Sequence, residues 1–130
     1  MKKTLAVAPL LLWVCGAGAE VPPDYRAIEW RIVANDDAPY GSSVTIAFDD
    51  PARISGQGPC NRWFAELKST LPEFRIGPVG ATMMACPDLD KEAAFLAMLE
   101  KVTRAEITAP DRLTLTGPDI APLVFARPVD

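Results

Sequence analysis

The chain has 130 residues, 13 Lys and Arg against 17 Asp and Glu, a net charge of −4 and no histidine. That length fits one domain. Without His there is no Ser-His-Asp triad, no Cys-His pair and no His-ligated zinc or haem, and the acidic balance lacks the basic footprint a nucleic-acid partner needs.

Residues 1–19 read as an address. Lys2 and Lys3 open the chain, Leu5 to Val14 is an apolar run of ten broken only by Pro9, and Ala17-Gly18-Ala19 supplies the small-x-small cleavage pattern. A secretory signal peptide cut between Ala19 and Glu20 is expected. The run is too short to span a bilayer, which takes ~20 apolar residues, so no integral membrane segment is expected in the mature chain. The alternative is a lipid anchor on Cys15. Leu12-Trp13-Val14-Cys15 has the Leu and Cys of a lipobox, but Val14 is larger than the small residue that normally precedes the Cys.

Cleavage removes two lysines and no acid. The mature chain then has 11 basic and 17 acidic groups, a net charge of −6, and two cysteines. An even pair in an exported chain reads as a disulfide, Cys60–Cys86. Free thiols or a redox dithiol are the competing readings, but the 26-residue separation is far from Cys-x-x-Cys. The chain-entropy model gives ~3.5 kcal/mol for closing such a loop.

Residues 20–26, with Pro22, Pro23 and Asp24, read as a flexible lead-in, and residues 27–130 as the domain. Ile28, Trp30 and Ile32 alternate with Glu29 and Arg31, a half-buried strand. Asn35, Asp36, Asp37, Pro39 and Gly41 form a turn cluster. Val44, Ile46 and Phe48 mark a second strand, Ala52 to Ser55 a short third. Gly56-Gln57-Gly58-Pro59 suggests unusual backbone freedom before Cys60. Trp63–Leu67 and Glu73–Ile76 read as two more strands, and Gly77–Cys86 breaks the alternation. Within Leu89–Val102, Phe95, Leu99 and Val102 make a helical stripe, widened by Leu96 and Met98, with Lys91, Glu100 and Lys101 on the wet side. Asp88 or Asp90 is the expected cap. Thr103–Thr108, Arg112–Thr116 and Leu123–Arg127 are the last strands. The fold class is α+β: a highly curved antiparallel sheet of about eight strands packed on one helix.

Two stretches stand where the alternation fails, Gly58-Pro59-Cys60-Asn61-Arg62-Trp63-Phe64 and Ala81-Thr82-Met83-Met84-Ala85-Cys86-Pro87. Asn61 and Thr82 can satisfy irregular backbone, and Met83 and Met84 can fill gaps in a core. Together the stretches resemble the META domain family, whose bacterial members include heat-shock-inducible HslJ-type envelope proteins. The resemblance rests on Cys60-Asn61 followed by Trp63 and Phe64, on Thr82-Met83-Met84-Ala85-Cys86, on Phe95, Leu96 and Leu99 before Val102-Thr103, and on Leu113-Thr114-Leu115 and Leu123-Val124-Phe125. It spans roughly residues 27–127. Pro59 and Ala65-Glu66 depart from the family pattern around the first turn.

The resemblance implies a compact, barrel-like sheet packed on one helix, an envelope location, an association with stress tolerance and no established enzyme activity. The motif residues Asn61, Trp63, Phe64, Thr82, Met84 and Ala85 are read as structural. No catalytic, cofactor-binding or metal-binding residue is expected. The main expectation is therefore a periplasmic, non-enzymatic domain that supports stress tolerance or envelope maintenance by binding an unidentified partner. One alternative is a small-ligand carrier or inhibitor, with Trp30, Trp63 and Phe64 as the ligand wall. The other is a carboxylate hydrolase. Asp36-Asp37, Asp49-Asp50, Asp88 and Asp90 sit at turns or a helix start, where capping and turn chemistry explain them. No EF-hand spacing appears among them.

Overall fold

Ile28, Trp30 and Ile32 are buried, and Glu29 and Arg31 between them face water. The same alternation recurs down the chain, so the sheet has one wet face and one face on the core. In a computed structural model the described residues are 25–33 and 40–128. The signal segment with Ala19, Glu20 and Cys15, most of the lead-in, and the turn around Asn35, Asp36, Asp37 and Pro39 lie outside them.

Eight strands form one antiparallel sheet: β1 (Glu29–Ile32), β2 (Thr45–Asp50), β3 (Arg53–Gln57), β4 (Arg62–Glu66), β5 (Gly80–Ala81), β6 (Arg104–Ala109), β7 (Arg112–Thr116) and β8 (Leu123–Ala126). Their order is β5-β4-β3-β2-β1-β8-β7-β6. The chain thus builds outward from β1 in two meanders, with Trp30 opposite Ile46 on one side and Ile32 opposite Phe125 on the other. Register shifts at Phe48/Asp50 and Ile107/Ala109 add local twist to the β2–β3 and β6–β7 hairpins. One helix, α1 (Leu89–Leu99), follows β5.

The fold class matches the sequence reading: α+β, with a curved sheet and one helix. The sheet is not closed, since β5 and β6 remain as edges. Residues 72–77 cross the gap instead. Leu67 bridges Ile76, Glu73 bridges Arg104, and Ala105 N–H donates to Pro72 C=O at 2.9 Å.

That crossing corrects the strand expected at Glu73–Ile76. Its hydrogen bonds are shared between the β4 side and the β6 side, so no continuous ladder can form on either. The fifth strand lies later, at Gly80–Ala81, inside the stretch read as irregular. The lead-in also ends sooner than expected. Tyr25–Ala27 is a 3-10 turn, and the Tyr25 ring meets Phe48 edge-on with centroids 5.4 Å apart.

Trp30, Phe48, Trp63, Phe74, Phe95 and Phe125 fill the core and are fully buried. Each contributes roughly 1.5–3 kcal/mol by removal from water. The helix stripe is Phe95, Met98 and Leu99, with Val102 buried just past its end and Leu96 half-buried. Asp88 stands at the N-cap position, but its side chain makes no capping hydrogen bond. It faces Lys91 at 3.6 Å instead. No helix among the described residues is long and apolar enough to cross a membrane.

Candidate functional site

The turn Gly58–Asn61 carries β3 into β4. Gly58 N–H donates to Asn61 C=O at 2.8 Å, which closes it. Gly56 and Gly58 were read as sites of backbone freedom, yet neither has a positive φ. They are needed for close approach. A Cβ on Gly56 would lie 2.0 Å from the Thr45 carbonyl oxygen. One on Gly58 would lie 2.9 Å from both Asn61 O and Glu92 Oε1.

Glu92 is the residue the sequence reading missed. It is only 5% exposed, on the inner face of α1. Its Oε1 accepts from Cys60 N–H at 3.2 Å and from Asn61 N–H, and its Oε2 accepts from Asn61 Nδ2 at 2.7 Å. One carboxylate thereby satisfies three donors of the turn and ties it to the helix. A buried acid with fewer partners would be strongly unfavourable. The signal was present in the sequence. Glu92 lies three residues before Phe95 and seven before Leu99, on the apolar stripe.

Asn61 is buried beside it and bonds on both sides of its amide. Nδ2 also donates to Met84 C=O at 3.2 Å, and Oδ1 accepts from Met84 N–H at 2.7 Å and from Thr82 Oγ1 at 3.1 Å. The Thr82 hydroxyl in turn accepts from Arg62 N–H at 3.2 Å. Cys60 and Cys86 form a disulfide with an S–S distance of 2.01 Å, and it staples the same two segments. Such bonds persist in oxidising compartments.

Thus Cys60, Asn61, Thr82, the Met84 backbone and Cys86 converge as one polar cluster around Glu92. The side-chain polar atoms of Asn61 and Thr82 and both backbone groups of Met84 are used internally. No group of three or more His, Cys, Asp or Glu among the described residues is arranged to hold a metal ion.

The apolar motif residues divide. Trp63 is buried and packs edge-on against Phe95 at 6.0 Å. Its Nε1 has no hydrogen-bond partner among the described residues. Phe64 points the other way, exposed on the outer face with its ring over Gly80. Core packing, the role favoured for Trp30, Trp63 and Phe64 over a ligand wall, is what Trp30 and Trp63 show, whereas Phe64 lies outside the core because alternation along β4 puts neighbours on opposite faces.

Met83 and Met84 do not fill core gaps as expected. These residues are 95% and 64% exposed, because the cluster holds this segment by its backbone and by Thr82. Met83, Met84 and Ala85 form one wall of a groove of about 440 Å³, and Leu89, Ala93 and Leu96 of α1 form the other.

Comparison with known proteins gives the same architecture. An NMR structure of a protein from Burkholderia xenovorans is similar at 22% identity and a TM-score of 0.61, covering 100% of this chain and 98% of that one. A second NMR structure is similar at 23% identity and a TM-score of 0.58, covering 82% of this chain and 94% of the other. At these identities the likeness shows the fold alone. No curated protein matches the chain. The META domain model matches residues 24–130, and the chain belongs to the META domain family.

Proposed function

We propose that this is an exported, non-enzymatic binding domain of the bacterial envelope that contributes to stress tolerance or envelope maintenance. It takes its partner at the apolar groove beside the motif. The observation that carries the reading is the division of labour in residues 82–86. The Thr82 hydroxyl and both backbone groups of Met84 are taken up by the cluster around Glu92, while Met83 and Met84 project into water. Exposed methionines suit adaptable apolar contacts, and an apolar groove held on a rigid support is a usual binding surface. The signal-like residues 1–19 and the disulfide support export to an oxidising envelope compartment, with Cys15 lipidation as the alternative way of staying there.

A photocrosslinking side chain at position 83, expressed in the host, tests the reading. The expected result is a discrete adduct in the envelope fraction, absent when the same group replaces exposed Glu29 on β1. No adduct at position 83, or equal adducts at both positions, overturns it.

The small-ligand reading retains one observation in its favour. A cleft of about 750 Å³ lies between α1 and β8, lined by Ala97, Met98, Ile120, Leu123 and Val124 with Lys101 at its side. Native mass spectrometry of gently purified protein distinguishes the readings: a bare mature mass counts against a retained ligand.

A further inference from the structure

The groove has a polar side as well as apolar walls. In an antiparallel ladder, facing residues alternate between bonded and non-bonded pairs. Thr82 N–H donates to Arg62 C=O at 3.0 Å, so that pair belongs to the bonded kind. The next pair, Trp63 and Ala81, is the non-bonded kind. The N–H and C=O of Ala81 therefore point away from β4. Beyond it, Met84 turns both of its backbone groups toward Asn61. No hydrogen bond among the described residues reaches the backbone of Met83 or Ala85. Because β5 ends the sheet, no strand among the described residues lies on that side.

Ala81, Met83 and Ala85 thus present unpaired backbone groups at two-residue spacing, the repeat of a strand edge. Across from them stand Leu89, Ala93 and Leu96. A row of alternating donors and acceptors between an edge and a helix is matched by another extended backbone, whereas a sugar or an acyl chain would leave it unpaired. The charge at the helix end of the groove is acidic, while exposed Arg62 adjoins Thr82 on the sheet side. Asp90 is exposed with no ion-pair partner among the described residues, Asp88 meets only Lys91, and the whole chain carries −4.

We propose that an extended, apolar peptide segment of a partner protein, with Lys or Arg among its residues, adds as a strand along Ala81–Ala85. Its apolar side chains pack on Met83, Met84, Leu89 and Leu96. This rests on the reading of the groove as the binding surface, and it specifies how the partner is held.

The probe is a capped octapeptide of alternating valine and lysine, titrated into the isotope-labelled full chain and followed by NMR. The amide signals of Ala81, Met83 and Ala85 shift, and their hydrogen exchange slows about tenfold. N-methylation of every second peptide nitrogen, which removes the donors along one edge, weakens binding about tenfold. Replacing lysine by glutamate also weakens it. Absence of binding, shifts confined to other regions, or equal binding by the N-methylated peptide overturns strand addition. If the position-83 adduct persists in cells while the N-methylated peptide binds as well as its parent, groove binding stands and strand addition fails alone.

Discussion

Two regions only a few residues apart use the same chain in opposite ways. Around Glu92, each polar side-chain atom of Asn61 and Thr82 has a partner inside the protein, and the two segments are cross-linked by Cys60–Cys86. Along Ala81–Ala85, apolar side chains are exposed and backbone groups face a free edge. The first region resists change because it is closed. The second carries its exposed apolar groups on that closed support. The Cys, Asn and Thr groups of the motif bond inside the protein, and the surface beside them is apolar.

That contrast can be broken from either side. Glu92→Ala is expected to be the most damaging change. It strands three donors and removes buried contacts, for a loss of about 3–5 kcal/mol in urea unfolding of the oxidised protein. Replacing both Cys60 and Cys86 by serine is expected to lower stability by roughly 3.5 kcal/mol, the loop-entropy value. Glu92→Gln keeps the shape but turns one acceptor into a donor against an N–H. A smaller loss of roughly 1–3 kcal/mol is expected, read by the same unfolding curves. Met83→Ser lies at the other extreme. With its side chain almost wholly in water, stability is expected to stay within about 0.5 kcal/mol, while crosslinking from neighbouring position 84 falls. A large stability loss for Met83→Ser would erase the distinction between the two regions.

Much of the sheet was legible because burial on one face imposes period two. Ile28, Trp30 and Ile32 appear as expected, and Arg112–Thr116 is a strand over the residues predicted. Glu73–Ile76 was misread because alternation reports which face is buried, not whether a ladder continues; here the bonds go to two different parts of the sheet. The site was half legible. Cys60, Asn61, Thr82 and Cys86, singled out in the two irregular stretches, lie together in the fold. Glu92 escaped notice because an acid in a helix reads as surface unless its place on the Phe95–Leu99 stripe is counted. Met83 and Met84 were misplaced because apolar composition does not say on which side of a backbone-anchored segment a side chain will lie.

The central claim is that Asn61 and Glu92 act as one structural unit. A double-mutant cycle in denaturant unfolding, with Asn61→Ala, Glu92→Ala and both together, measures this most directly. The predicted result is a coupling of about 1–3 kcal/mol, with the double variant much less damaged than the sum of the singles. Additive losses, within about 0.3 kcal/mol, would contradict it.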